Sequence, residues 1–389
     1  MRNTKRKTFL VDSLPIDLVY TERSPYKETY GGKLDEVICE GRFLKPRGAD
    51  PRTVVIFMHP SAVLHHLPFP IGLAEAGIPV LCCASRYERN DTGLIMEKVL
   101  LDLGRYIDYA KNILGFERVV LCGWSGGGSL SLFYQAQAEH PDITQTPAGD
   151  PVDIISAGLI PADGVIQVAA HASRGHLLLE WIDPSILDEG DPTKRDRNLD
   201  LYDPANPNQP RYSSEYLARF RNAQAARLEK IDAWVFDQLD RLRKSGGPDR
   251  ERAFVVHGTM AAPYWLDSSI YPSDREPNHC YMGNPASVNM IPAGLARYSS
   301  LRSWLSQWSF VHSRANGPAS ARRVTIPSLV IQHSADDGCT PNHTQMIYDG
   351  LNSSNKELYV SKGANHYYYG QPELMAQSIE KMQQWITAL

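Results

Sequence analysis

The sequence predicts an α/β fold in which helices cover both faces of a mostly parallel central sheet and a large segment is inserted between two strands. Short apolar runs rich in β-branched residues alternate with helical patterns, as expected of parallel strands buried on both faces. One long stretch, 184–322, interrupts this alternation. The length of 389 residues accommodates one large core with such an insertion.

Apolar runs bounded by turn-forming residues predict the strands of this sheet. The predicted parallel strands are 54–58, 79–83, 119–122, 164–169, 328–332 and 357–360. A turn-rich connection separates two earlier segments, which are predicted as antiparallel edge strands: 9–20 and 36–44. Helical periodicity follows a strand in each of three segments, 96–114, 125–139 and 373–386.

The inserted segment differs in composition from its neighbours. It opens with the Asp- and Pro-rich stretch 183–210, continues with a polar helical pattern at 214–244, and then concentrates aromatic residues, among them Trp265, Trp304 and Trp308. Insertions at the carboxyl ends of strands border the ligand crevice in such folds. We therefore expect a cap or lid whose tryptophans either contact the substrate or pack the cap itself. A second domain used for assembly is the alternative.

The predicted domain organisation follows from this insertion. We expect an α/β core whose N-terminal part is 1–183, an inserted cap at 184–322, and the C-terminal part of the core at 323–389. The net charge of -4 and the sequence pI of 6.3 leave no basic excess for a phosphate backbone, so nucleic acid is not an expected partner.

No run of apolar residues is long enough to span a membrane, so no membrane partner is expected. The first residues, 1–7, are basic, but Asp and Pro interrupt the stretch 8–20, so no secretory signal and a cytoplasmic location are predicted. The six cysteines form no CxxC pair, and three of them, Cys82, Cys83 and Cys122, lie in apolar runs. They are interpreted as reduced core residues without a metal or disulfide role.

The segment Gly123-Trp124-Ser125-Gly126-Gly127 matches a G-x-S-x-G pattern between an apolar strand and a helical stretch. Flanking glycines remove side chains that would collide where the backbone reverses around a strained serine. Ser125 is therefore the predicted nucleophile. The Gly126 amide, at the start of the helix, is a predicted oxyanion donor. A glycine-rich turn that contains a serine by chance is the alternative, and an acid and a histidine later in the chain would exclude it.

Both later residues are present. Asp336 stands where an acidic loop leaves the predicted strand 328–332, and it is the predicted acid, with Asp337 as the alternative. His366 follows the last predicted strand, after a glycine, and is the predicted base. Both positions place side chains at the carboxyl edge of the sheet, where they can meet the serine.

The loop after the strand 54–58 supplies the expected second oxyanion donor. Its sequence is His59-Pro60-Ser61-Ala62, and Pro60 has no N–H to donate. The Ser61 N–H is the predicted donor, and the Ala62 N–H remains the alternative. His59 is predicted to hold the loop in place.

Together these motifs resemble the α/β-hydrolase superfamily over residues 35–180 and 325–389. The serine of the family's nucleophile elbow, the sharp turn between strand and helix, corresponds to Ser125. Its acid corresponds to Asp336 and its histidine to His366. Its HG-type oxyanion loop corresponds to His59-Pro60-Ser61. One departure is that Pro60 replaces the usual glycine after the loop histidine. The resemblance implies Ser-His-Asp catalysis that requires no metal and no organic cofactor.

The predicted function is hydrolysis of a carboxylic ester or lactone of a mostly apolar small molecule through an acyl-enzyme. Amide hydrolysis, cleavage of a carbon-carbon bond next to a ketone, and acyl transfer use the same residues and remain alternatives. A non-catalytic binding protein on this fold is the hypothesis from a different class. A homo-oligomer is compatible with the sequence.

Overall fold

The computed structural model describes residues 8–389. The basic segment 1–7, which entered the prediction about a secretory signal, lies outside the described residues. The strands, in chain order, are β1 (Val11–Thr21), β2 (Glu36–Pro46), β3 (Thr53–Met58), β4 (Val80–Cys83), β5 (Arg118–Trp124), β6 (Gly164–Val168), β7 (Ala253–Val255), β8 (Tyr298–Ser300), β9 (Ser328–His333) and β10 (Lys356–Ser361).

The helices connect these strands and build the insertion. They are α1 (Pro68–Glu75), α2 (Met96–Asp108), α3 (Gly126–Glu139), α4 (Arg174–Trp181), α5 (Ser214–Ser245), α6 (Pro263–Leu266), α7 (Pro285–Val288), α8 (Leu301–Ser303), α9 (Gly317–Ala321), α10 (Pro341–Gly350) and α11 (Pro372–Thr387). Short π-helical segments extend α2 and α8, over Tyr109–Ile113 and Trp304–Trp308.

The central sheet has eight strands in the order β1-β2-β4-β3-β5-β6-β9-β10. The pairs β1–β2 and β2–β4 are antiparallel, and the remaining neighbours are parallel. The predicted α/β fold with a mostly parallel sheet is therefore confirmed. Both ends of each predicted strand lie within three residues of the ends of an observed strand. Parallel strands that are covered on both faces are apolar along their length, so an apolar run in the sequence indicates them directly.

Strand β3 shows how the two faces are filled. Val54, Ile56 and Met58 pack into an apolar cluster with α2 and α3, whereas Val55 and Phe57 pack into a second cluster with α1 and α11. Successive side chains of a strand point to opposite faces, and all six residues of β3 are buried. The sheet is consequently the middle layer of three.

The segment between β6 and β9 forms a second body of apolar packing built around α5, a helix of 32 residues. The Ser213 side chain caps its start, and Gly246 ends it in the left-handed conformation at φ 60°. Two apolar clusters fill this body, and both include side chains of α4, such as Trp181 and Ile182 beside it. The packing of the insertion thus begins before residue 184. None of the helices in residues 8–389 is long and apolar enough to cross a membrane.

A buried ion cluster joins the antiparallel edge to the core. Arg86, which follows β4, has a fully buried side chain and contacts Asp102 of α2 at 2.9 Å and Glu22 at 2.7 Å. Its backbone N–H also donates to Asp102 at 2.9 Å. The Asp102 side chain is fully buried too, so each charge depends on the other for compensation.

We predict that Asp102→Ala lowers the free energy of unfolding by about 3–5 kcal/mol, because it leaves the Arg86 guanidinium buried with one partner fewer. The matched control is Asp12→Ala, which breaks the exposed Arg47–Asp12 pair and should cost far less, because solvent screens exposed charges. Urea denaturation monitored by circular dichroism measures both values. Equal losses in the two variants would contradict the prediction.

Candidate active site

Ser125 lies on a strained turn between β5 and α3. Its backbone has φ 52° and ψ -120°, a conformation that costs a non-glycine residue roughly 1–3 kcal/mol. The surrounding structure holds it there, because the Ser125 N–H donates to Val168 O at 3.3 Å and the Ser125 carbonyl accepts the Gly128 N–H at 3.0 Å. The turn directs the hydroxyl into a cavity at the carboxyl edge of the sheet.

The glycines around Ser125 are required by close approach. A methyl group on Gly123 would lie 2.5 Å from the Gly127 carbonyl oxygen, and one on Gly126 would lie 2.5 Å from His59 Nε2. Both distances are far below van der Waals contact. The predicted G-x-S-x-G pattern thus has a packing cause, since larger residues would push α3 and the neighbouring loop away from the serine.

The structure brings Asp336 and His366 together. Asp336 follows β9 and His366 follows β10, and His366 Nδ1 lies 2.9 Å from Asp336 Oδ2. The other carboxylate oxygen, Oδ1, accepts the N–H groups of Gly338 at 2.8 Å and Cys339 at 2.7 Å. Both side chains are buried, so the carboxylate holds one orientation of the imidazole.

The alternative acid, Asp337, points elsewhere. Its Oδ2 lies 2.7 Å from Nδ1 of His279 in the insertion, and its backbone carbonyl accepts the Trp265 Nε1–H at 2.7 Å. Burial raises the pKa of Asp337, and the neighbouring Asp336 carboxylate raises it further. Asp337 therefore joins the acid loop to the insertion, whereas Asp336 is the carboxylate that contacts His366.

A thiol that the sequence analysis did not single out lies beside Ser125 and His366. Cys339 Sγ is 3.9 Å from Ser125 Oγ and within 4.8 Å of an imidazole nitrogen of His366. Within residues 8–389 no hydrogen bond joins Ser125 Oγ to His366 directly. In free enzymes such bonds are often long and tighten when substrate is bound. The signal in the sequence was its position, three residues after Asp336 in the acid loop.

The buried His366 imidazole has an altered proton affinity. Burial by itself lowers the pKa of His366, but the charge of Asp336 and the contact with Cys339 outweigh it, so the pKa is raised well above its usual value. Asp336, Cys339 and His366 each offer a ligand atom, and these atoms lie within 4.8 Å of one another. Because His366 and Asp336 are hydrogen-bonded to each other, we interpret these two residues as an acid-base pair.

The loop after β3 differs from the prediction. The Ser61 N–H and the Ala62 N–H, the two predicted alternatives for the second oxyanion donor, both donate to His59 Nδ1, at 3.2 and 2.9 Å. Both amides therefore already have an acceptor within the loop itself. His59 organises the loop as expected, and the reason is that the backbone after Pro60 turns back onto the imidazole.

These two bonds also determine the tautomer of His59. An imidazole nitrogen that accepts two amides carries no proton, so the neutral ring has its proton on Nε2. Burial lowers the pKa of His59 well below its usual value, and the nearby Arg174 lowers it further, so the ring is neutral. Its Nε2–H lies beside Gly126, at the cavity that Ser125 lines.

The cavity above Ser125 has a volume of about 260 Å³. Its floor comes from the core, and its cover comes from α4 and the insertion: Arg174, Leu177, Trp181, Tyr281, Leu295 and Trp308. The three tryptophans predicted for the insertion divide between two roles. Trp308 lines the cavity, whereas Trp304 is fully buried and donates to Asp232 at 2.6 Å, and Trp265 donates to the acid loop.

We predict that activity requires deprotonation of His366 and therefore falls as the pH drops through a pKa above 6.5. Cys339→Ala removes a contact that raises this pKa, so the acid limb of kcat/KM should move to lower pH. Cys82→Ala, a buried thiol of β4 outside the cavity, is the control and should leave the limb in place. The measurement is kcat/KM against pH with a p-nitrophenyl ester, and an unmoved limb in Cys339→Ala would contradict the assignment.

Comparison with known proteins shows likeness in structure only. No protein-family model matches the sequence, and no curated protein matches it. The structure of DcsB in complex with its substrate analogue aligns at 12% identity over 96% of this chain and 99% of that chain, with a TM-score of 0.50. The α/β hydrolase GrgF from Penicillium sp. sh18 aligns at 12% identity over 95% and 96% of the two chains, with a TM-score of 0.48. Est1E from Butyrivibrio proteoclasticus aligns at 12% identity over 90% of this chain and 96% of that chain, with a TM-score of 0.45. The sheet order and this likeness identify the chain as a protein of the α/β-hydrolase fold.

Proposed function

We propose that the protein is a serine hydrolase that cleaves a carboxylic ester or lactone of a mostly apolar small molecule through an acyl-enzyme. The observation that supports it is one constellation: Ser125 on a strained turn, lining the same cavity as a buried His366 that Asp336 holds at 2.9 Å. Strain at a serine has no packing benefit of its own, so it favours a nucleophile.

In the proposed reaction His366 Nε2 takes the Ser125 proton as Oγ attacks the carbonyl carbon. The tetrahedral intermediate collapses when His366 gives that proton to the leaving alcohol oxygen, and an acyl-enzyme results. Water then attacks the acyl carbon and loses its proton to the same histidine, which returns the proton to Ser125 as the acid leaves. Asp336 keeps Nδ1 protonated and stabilises the imidazolium in both steps.

The oxyanion of both steps needs two donors. The Gly126 amide, at the N-terminus of α3, is the first. We propose the His59 Nε2–H as the second, because the Ser61 and Ala62 amides are bonded to the other nitrogen of that ring. Burial lowers the pKa of His59 and keeps the imidazole neutral. The neutral ring can donate a hydrogen bond from Nε2–H to the oxyanion and keeps its proton while it does so.

We predict that His59→Phe, which retains a ring of similar shape, lowers kcat by about 10²–10³, the loss measured when one oxyanion donor is removed. Ser61→Ala is the control, since it keeps every backbone N–H of the loop and should stay within about tenfold of wild type. Steady-state kinetics with one ester measures both. A His59→Phe variant that is folded and fully active would return the donor role to the Ser61 amide.

We predict that a fluorophosphonate probe labels the wild-type protein and that Ser125→Ala abolishes the label. Ser125→Ala and His366→Ala should each lower turnover by at least about 10³, because the members of a triad act as a unit. Absence of label in the wild type, with the protein folded, would favour a non-catalytic binding protein.

We predict that Asp336→Asn lowers kcat far more than Asp337→Asn, because only Asp336 contacts His366. The two residues are adjacent and equal in charge, so each variant is the matched control of the other. The reverse order would move the acid by one position. Both are assayed on p-nitrophenyl esters, and a wild-type panel of lactones, anilides and β-diketones separates ester hydrolysis from cleavage of amide or carbon-carbon bonds.

A further inference from the structure

A cationic side chain that the proposed mechanism does not use lies in the wall of the catalytic cavity. Arg174 is the first residue of α4, its side chain is 5% exposed, and it lines the same cavity as Ser125. Burial lowers the pKa of Arg174, but a guanidinium keeps its charge at any physiological pH. A buried charge is unfavourable unless other groups compensate it.

Three segments that are distant in sequence fix this guanidinium. Nη1 donates to Asp91 Oδ2 at 3.2 Å and to the amide oxygen of Gln307, and Nη2 donates to Ser61 Oγ at 3.1 Å. Its Cζ lies 4.9 Å from the ring centroid of Trp308, within range of a cation-π interaction. The side chain is thus held rigid, which lowers the entropic cost of binding a further group.

These partners leave part of the guanidinium unused. Of its five N–H groups, the Nε–H and one N–H of Nη2 have no acceptor in the described part of the chain. Nε and Nη2 are neighbouring nitrogens of the guanidinium, and their unused N–H groups can donate charge-assisted hydrogen bonds to a carboxylate. The compensating carboxylate of Asp91 is 32% exposed and contacts only Nη1.

The other titratable groups of the cavity add little negative charge. Burial lowers the pKa values of His59 and His171 well below the usual range, so both rings are neutral. Asp91 is the one carboxylate among the lining residues described here, and Asp336 lies behind His366. An anionic group that enters the cavity therefore meets one partly compensated cation and no second carboxylate.

We propose that Arg174 binds an anionic oxygen of the substrate, so that the substrate is an ester or lactone that also carries a carboxylate close to the carbonyl that is cleaved. This inference rests on the proposed hydrolase function. The bond from Arg174 to the hydroxyl of Ser61, in the loop beside the oxyanion site, places the carboxylate next to the reacting carbonyl. The apolar cover supplied by Leu177 and Trp308 takes the remaining, uncharged part of the substrate.

The test compares esters that differ only in this charge. Mono-p-nitrophenyl succinate, glutarate and adipate are each paired with the p-nitrophenyl ester of the straight-chain monoacid of the same length, after subtraction of the uncatalysed rate. For the wild type we expect kcat/KM to be about 10- to 100-fold higher for the acidic member of at least one pair, the range of a charge-assisted hydrogen bond. Arg174→Met should abolish that preference, so that kcat/KM becomes nearly equal for the two members of each pair.

Two further variants separate recognition from packing. Asp91→Asn removes the competing carboxylate and should increase the preference for the acidic ester. Arg227→Met removes another buried arginine, one that binds Glu189 in the insertion, and should leave the preference unchanged. Melting temperatures are measured for all variants, so a misfolded Arg174→Met is recognised. In that case the preference of Asp91→Asn for the acidic ester tests the inference.

The outcomes are distinct. A wild type that hydrolyses neutral esters without any preference for acidic ones would overturn the inference and leave the proposed function intact. Equal loss on both esters in Arg174→Met, with no gain in Asp91→Asn, would show that Arg174 only joins the three segments. A wild type that hydrolyses neither kind of ester would overturn both proposals.

Discussion

The strained turn at Ser125 is the constraint on which the rest of the structure depends. It stands at the end of β5, in the middle of the sheet, and it persists only because glycines let α3 approach the strand and the neighbouring loop. The adjacent strands, β3 and β6, run parallel to β5, so their carboxyl ends open at the same edge. For that reason His59 after β3 and Arg174 beyond β6 reach the cavity of the serine.

The insertion is joined directly to the acid loop. His279 and Trp265 both contact Asp337, and the Asp274 N–H donates to the Ser334 carbonyl at 2.8 Å. Asp337 directly follows Asp336 in the chain, so these contacts lie next to the carboxylate that contacts His366. Asp337, which the sequence alone leaves as an alternative acid, therefore has a structural reason to be acidic, since its carboxylate contacts His279 and joins the insertion to the loop after β9.

The electrostatics of the cavity follow from burial combined with selective pairing. Burial makes the rings of His59 and His171 neutral, whereas the paired Asp336 reverses the effect of burial at His366. One imidazole is therefore suited to donate a hydrogen bond and another to accept a proton, although both are histidines in the same cavity. Arg174 adds a fixed positive charge, which is the basis for the proposed acidic substrate.

The sequence by itself determined the order of strands and helices, the elbow at Ser125, and the loops that carry the acid and the base, because local apolar patterns and glycine spacing encode them. Only the tertiary structure distinguished Asp336 from its neighbour, since adjacent aspartates differ just in direction. It also assembled contacts between residues far apart in the chain. Arg174 could not be found from the sequence, because its partners lie 83 to 133 residues away and its local pattern is that of an ordinary helix start.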